Sequence, residues 1–401
     1  MSLGAAAVIF ILFVSANAFT ARKKAPLYGS HLNTAVNGHY IVVFNEDTLD
    51  SEIKTHHEDL SLMLSYLNKT SAGTVSKFEI GSFKGYSASL EEKALEHVRQ
   101  LKEVKYIEAD QVVKTLDSCT EQSGATWGLV RTCSQDMSSS SYYYNPNCAG
   151  SGVDVYIIDT GIEVYHSDFD GRSEWGSDFV DSGNSPGTDL NGHGTHCAGT
   201  VMSSTWGLAK KATSVAVRVL DADGSGYVSG VVSGISWVAE QHQSRGRKSV
   251  ANLSLGGGYS STLNEAVDAA VSAGVHMVVA AGNELTDACY RSPASTQYGI
   301  TVAASDSAND FAYFSNYGTC VDIIAPGVYI SSTWLNGGSA SLSGTSMAAP
   351  HVAGVVAKIL SCTDYSPSEM KQYLQKIGAY NAVEGVPYNT PNILLYKECS
   401  N

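Results

Sequence analysis

The sequence predicts an α/β protein, a parallel sheet flanked by helices, preceded by a small α+β unit. Two observations carry this. From about Cys119 onward, near-continuous apolar runs of strand length alternate with stretches of helical periodicity. Strands apolar along their whole length are buried on both faces, which is the mark of a parallel sheet covered by helices. Before that point the chain is charged and free of cysteine. All of Cys119, Cys133, Cys148, Cys197, Cys289, Cys320, Cys362 and Cys399 lie in the second part.

Taken in order, the chain opens on MSLGAAAVIFILFVSANAF, an apolar run of signal-peptide length without Lys or Arg ahead of it. Ala16-Asn17-Ala18 supplies a cleavage site of the small-residue type, so residues 1–18 are expected to be removed on secretion. The run is too short to span a bilayer, and no later segment is long and apolar enough. Next come the strand pattern GHYIVVFNE, the helical LDSEIKTHHEDLSLMLSYL, the strands TVSKFEI and FKGYSASL around a glycine turn, the helix EEKALEHVRQLKEV and a last strand YIEADQVVKT. The order β-α-β-β-α-β matches a ferredoxin-like sandwich. It offers no obvious catalytic centre.

In the second part the strands are GVDVYIID, TSVAVRVL, SVANLSL, VHMVVAAG, GITVAAS and CVDIIAPG. The helices are GTHCAGTVMSS, SGVVSGISWVAEQHQ, TLNEAVDAAVSAG and SMAAPHVAGVVAKILS. MSSSSYYYNPN reads as a surface loop. With 401 residues, 43% of them apolar, the chain can bury a large core. A net charge of -14 argues against nucleic acid as a partner.

Open parallel sheets place ligands at the carboxyl ends of their strands. Asp159 closes the strand VDVYIID. His193 stands between glycines in NGHGTHCAGT, just before a helix. Ser346 heads the helix in LSGTSMAAPHVAG. Each has a plain structural use, such as capping a turn or a helix. Together they are the groups acyl transfer needs. A serine hydroxyl is a weak nucleophile until a base takes its proton, and a carboxylate holds that imidazole in the useful tautomer. The free N–H groups at the start of the Ser346 helix point at a developing oxyanion. Pro350 does little harm by this reading, because a first-turn N–H has no helical partner to lose. Asn283, in VVAAGNE, follows a strand and a glycine. It is either a turn residue or a second oxyanion donor.

YIIDTGIEVYHSDF, NGHGTHCAGTV, NLSLGGG, AAGN and SGTSMAAPHVAG resemble the subtilisin-like serine peptidases, most closely the proteinase K-like group, over about residues 120–400. The order Asp, His, Ser is that family's order. The resemblance implies a subtilisin-like sheet and a triad of Asp159, His193 and Ser346, with Asn283 in the oxyanion hole. It also implies an inhibitor-like propeptide over residues 19–118 and a peptidase domain over 119–401. Ser254, Leu255 and Gly256 are expected on one wall of the pocket for the residue before the scissile bond, and Ala280, Ala281 and Gly282 on the other. Gly224-Ser225-Gly226-Tyr227 resembles the edge that pairs with substrate backbone, although ADGSGYVSG is one residue short of the usual pattern before the tyrosine. Small apolar walls favour apolar or aromatic residues, within a broad specificity.

The resemblance makes Cys197 a buried free thiol beneath the imidazole and His196 a core histidine, rather than metal ligands in HGTHC. It suggests a Cys289–Cys320 disulfide; Cys362–Cys399 is a further guess, and one of Cys119, Cys133 and Cys148 is then left over. In a secreted chain such cysteines are mostly bridged. Asp322, with the carbonyls of Gln297 and Gly299, matches a structural calcium site, and no cofactor is expected for catalysis. Maturation is expected between Val113 and Cys119, with the segment VVKTLDS lying in the cleft beforehand. Asn68 and Asn252 head glycosylation sequons, the second in a buried strand. The expected partners are protein and peptide substrates and the chain's own propeptide, with no nucleic acid or membrane, and the enzyme acts as a monomer. Rival readings are an inactive peptide-binding relative, an inhibitor carrying a passenger domain, and a lipase-type hydrolase. The last wants G-x-S-x-G, and Ala348 stands where its final glycine belongs.

Overall fold

The computed structural model describes residues 24–31, 35–66, 76–111, 119–180 and 188–399. The expected signal peptide, the Asn68 sequon and the segment VVKTLDS lie outside them. The chain divides into two units, Met1–Thr115 and Leu116–Asn401.

The first unit is a five-stranded sheet in the order Leu27–Tyr28, Val104–Gln111, Ala35–Phe44, Phe83–Ser89, Ser76–Ile80, with helices Asp50–Tyr66 and Glu92–Val98. Apart from the short strand Leu27–Tyr28, this is the expected β-α-β-β-α-β order. Val42, Phe44, Tyr86, Ala94, Val98 and Ile107 form its core. The second helix stops at Val98, well short of the pattern EEKALEHVRQLKEV, because Val104 is already paired in the last strand.

The second unit is built on a nine-stranded sheet. Its central strands run His276–Ala280, Lys248–Leu253, Val153–Asp159 and Thr213–Arg218, all parallel. Every residue of Val153–Asp159 is buried. The pleat divides them between two cores. Val155 and Ile157 pack with residues of helices His193–Met202 and Thr345–Leu360. Tyr156 and Ile158 pack with residues of helices Val228–Arg245 and Ser261–Ser272. A strand sandwiched in this way has no polar face, which is why it reads as one apolar run.

MSSSSYYYNPN is not a surface loop throughout. Ser141–Tyr144 is a strand paired antiparallel with Thr120–Ser123, and the Tyr142 ring is fully buried with its hydroxyl on the Leu208 carbonyl at 3.0 Å. The disulfides are Cys119–Cys399, Cys148–Cys362 and Cys289–Cys320. Cys362–Cys399 is therefore corrected: each of these cysteines finds its partner at the other end of the unit, a pairing that chain order does not reveal. Cys133 and Cys197 are free and buried.

Candidate active site

Because neighbouring strands run parallel, their carboxyl ends share one edge. Asp159 ends its strand there, Ser254 follows Leu253 on the next strand, and Asn283 follows Ala280 on the one beyond. Helices His193–Met202 and Thr345–Leu360 bring His193 and Ser346 in on their first turns.

Asp159 is fully buried, and its carboxylate receives the His193 Nδ1–H at 2.8 Å (Oδ1) and 3.0 Å (Oδ2). Oδ1 also accepts from the Thr160 amide at 2.7 Å. Burial works to lower the pKa of His193, but the charge and hydrogen bond of Asp159, with a contribution from Asp189, outweigh it and leave it above the usual 6.5.

Sequence reasoning passed over Asp189. Its buried carboxylate accepts from the amides of Asn191 (3.0 Å), Gly192 (2.8 Å) and Thr195 (2.9 Å), and from the hydroxyls of Thr195 (2.7 Å) and Thr160 (2.9 Å). Thr160 Oγ1 in turn accepts from Gly194 N at 3.0 Å. Asp189 thus fastens the loop that carries His193 to the strand end that carries Asp159. The signal was only an Asp before Leu-Asn-Gly-His-Gly. Gly192 sits at φ 104° with the Trp334 ring 2.6 Å from where a Cβ would stand, so no other residue fits there.

Gly344, not Ser346, caps the Ser346 helix. Ser346 Oγ donates to the Ser254 carbonyl at 3.0 Å, and Ser254 Oγ donates to the Ser346 carbonyl at 2.7 Å. Pro350 is not a first-turn residue. The helix begins at Thr345, so Pro350 lies in its second turn and withholds the N–H that would have bonded Ser346 C=O. Ser254 Oγ and, at 3.4 Å, Cys197 Sγ serve that carbonyl instead. One ligand-type atom each from Asp159, His193 and Cys197 lie within 4.8 Å of one another, so the thiol that bonds the Ser346 carbonyl also lies beside the Asp159–His193 pair.

This cluster is not built for a metal. Asp159 and His193 bond each other, and burial holds Cys197 as a thiol, well above its usual pKa. His196 is buried and donates from Nε2 to the Ile330 carbonyl at 2.9 Å. Burial pushes its pKa down to about 4.

Asn283 Oδ1 accepts from Thr345 N at 2.8 Å and Thr345 Oγ1 at 2.9 Å, while Thr345 Oγ1 accepts from Gly282 N at 3.0 Å. Thr345, another residue sequence reasoning missed, fixes which end of the Asn283 amide is free. Asn283 and Ser346 border a cavity of about 110 Å³ lined by Leu255, Gly256, Ala280, Ala281 and Gly282, and also by Arg291 and Glu284. Those two charges, 3.8 Å apart, make the pocket less uniformly apolar than its walls suggested. Ser254, expected on the same wall, is not among the lining residues; it is buried and bonded to Ser346. Gly224 and Tyr227 are on an exposed segment leading into helix Val228–Arg245.

The donors expected to hold calcium do not fit one. Lys371 Nζ lies 2.9 Å from Asp322 Oδ2 and 2.8 Å from the Gly299 carbonyl, filling the space between them with a positive charge. The ammonium thus stands against two of the three residues, Asp322, Gln297 and Gly299, expected to hold a metal.

Residues 150–386 match the family model described as subtilase family, and residues 39–116 match peptidase inhibitor I9. The chain belongs to the subtilase family. Subtilisin-like serine protease Pen c 1 of Penicillium citrinum is 42% identical over 92% of the chain and 93% of that protein. Subtilisin-like protease 2 of Pseudogymnoascus destructans is 43% identical over 89% and 88%. The crystal structure of a cold adapted subtilisin-like serine proteinase is 43% identical, with a TM-score of 0.65, over 69% of the chain and all of the other. This subtilase is a serine protease carrying an inhibitor-type domain at its N-terminal side. Among the described residues, no helix is long and apolar enough to cross a membrane.

Proposed function

We propose that the chain is the precursor of a secreted, monomeric serine endopeptidase of broad specificity, acting through Asp159, His193 and Ser346. Residues 1–18 direct secretion, residues 19–118 assist folding and then inhibit, and residues 119–401 are the mature enzyme, released by a cut between Val113 and Cys119. The observation that carries the reading is the fully buried Asp159 carboxylate, 2.8 Å and 3.0 Å from His193 Nδ1 at the strand edge where Ser346 enters. A carboxylate on Nδ1–H leaves Nε2 as the base.

In the reactive complex the Ser346 hydroxyl turns from the Ser254 carbonyl to His193 Nε2. Its oxygen attacks the peptide carbonyl carbon as its proton passes to the imidazole. The oxyanion takes hydrogen bonds from the Ser346 N–H and Asn283 Nδ2. Collapse expels the amine, which carries away the His193 proton and leaves an acyl-enzyme. Water, deprotonated by the same imidazole, attacks the acyl carbon; the bond to Ser346 Oγ breaks, the imidazolium returns its proton to that oxygen, and the acid is freed. No cofactor enters these steps.

The exposed segment Gly224–Tyr227 supports binding of substrate as an added strand, which gives affinity for many sequences. The small walls of the Leu255–Gly256 and Ala280–Gly282 pocket support a preference for apolar or aromatic residues. A fluorophosphonate reagent tests the reading. It is expected to label the matured protein at Ser346 alone, and Ser346→Ala to lose both label and peptide hydrolysis. Retained hydrolysis in that variant sinks the mechanism.

A further inference from the structure

The chain from Ala294 to Thr301 joins the pocket lining to strand Ile300–Ser305. It is held from two sides. Asp268, on helix Ser261–Ser272, accepts from Gln297 N at 3.3 Å and Tyr298 N at 2.8 Å, and takes the Thr296 hydroxyl as well. This carboxylate gathers the donors of the loop. Its acceptors need a cation on the other side, and Lys371 supplies it by bridging the Gly299 carbonyl to Asp322. The same Asp322 oxygen accepts from Thr301 N at 2.9 Å.

The lysine is well placed to be a fixed part of the structure. Helix Pro367–Ile377 starts on a complete capping box between Ser366 and Glu369 with Pro367 in its first turn. Met370, beside Lys371, and Leu374 are fully buried. The lysine side chain is 22% exposed and the Asp322 side chain 14%. An ammonium held on this anchored helix needs no ion from solution.

We propose that Lys371 is a built-in cation standing in for a structural calcium, so that this loop is held without metal. Calcium takes six to eight oxygens at about 2.3–2.6 Å. An ion bound to both Asp322 and the Gly299 carbonyl falls in the space the ammonium fills, against its positive charge. Removing the ammonium uncovers an oxygen set suited to calcium, since the carboxylate and the carbonyl remain.

The experiment uses the full chain with Ser346→Ala to prevent self-digestion, melted in EDTA and in millimolar calcium. Unfolding is followed by tryptophan fluorescence, since Trp127, Trp175, Trp206, Trp237 and Trp334 all lie in the second unit. Asp322→Asn is expected to leave the parent's calcium response unchanged. Lys371→Ala is expected to lower the melting temperature in EDTA and to gain a calcium-dependent rise of several degrees beyond the parent's. Adding Asp322→Asn to it should abolish the gain. A parent response that shrinks with Asp322→Asn, or no gain in Lys371→Ala, overturns the proposal. If Lys371→Ala does not fold, terbium titration of the parent and of Asp322→Asn decides. Equal numbers of sites support the built-in cation, and loss of a site in Asp322→Asn refutes it.

Discussion

Asn283 spends the oxygen of its amide on Thr345, whose N–H and hydroxyl both donate to it. A turn residue uses its side chain within its own loop. This one is bound to the helix that carries Ser346, and its Nδ2 makes no hydrogen bond among the described residues. Asn283→Leu is therefore expected to lower kcat roughly 100- to 1,000-fold with little change in KM, the usual loss for one oxyanion donor. The pH profile reports the neighbouring pair. His193 acts as a base only when neutral, and Asp159 holds its pKa above 6.5. Activity should therefore rise with pH through a midpoint above that value. Asp159→Asn removes the charge that retains the proton. It should move the midpoint to lower pH, while kcat falls about 10,000-fold with loss of the tautomer. A midpoint that stays in place, measured as kcat/KM against pH, shows that Asp159 does not set the imidazole's charge.

At the scale of elements, the site depends on a defect in helix Thr345–Leu360. Pro350 leaves the Ser346 carbonyl without its helical donor, and Ser254 Oγ supplies one while accepting from Asn252 Nδ2 at 2.8 Å. Ser254→Ala strands the Asn252 amide inside the protein and leaves the Ser346 carbonyl only the Cys197 thiol. It is expected to cost about 1–3 kcal/mol of stability, read from denaturant midpoints. An unchanged midpoint means that Cys197 Sγ suffices for the carbonyl. This bond also marks the limit of what the chain discloses. Strands and helices around the site were legible because a doubly covered sheet writes itself as apolar runs, Asp159 because it closes such a run, and His193 and Ser346 because small residues fence them. Ser254's hydroxyl, Asp189's cluster of donors and Lys371's bridge are acts of side chains that meet only after folding. Asp189 lies in sequence near the loop it organises, yet nothing local says that its carboxylate points inward. Lys371 falls in an amphipathic stretch where a lysine ordinarily faces solvent.

At the scale of the whole second unit, the disulfides close loops of very different span. Cys119–Cys399 is separated by 280 residues, Cys148–Cys362 by 214 and Cys289–Cys320 by 31. The first ties the beginning of this unit to its end, and the second ties the chain before the first central strand to the end of the Ser346 helix. In the chain-entropy account a bridge acts on the unfolded state, and its contribution grows as the logarithm of the loop it closes. Between the longest and shortest loops that logarithm amounts to about 2 kcal/mol. Paired Cys→Ser variants in the Ser346→Ala chain should accordingly rank in denaturant midpoint. Loss of Cys119–Cys399 and of Cys148–Cys362 should be nearly equal and the most damaging, and loss of Cys289–Cys320 the mildest. Tryptophan fluorescence is the suitable probe, because it follows the second unit alone. Cys289–Cys320 adjoins the loop bonds at Asp287, which accepts from Cys289 N at 2.9 Å, so its removal also tests native packing near the pocket. If that short bridge proves the costliest, the stabilisation resides in the folded site rather than in the restrained unfolded chain, and the entropic ranking fails for this protein.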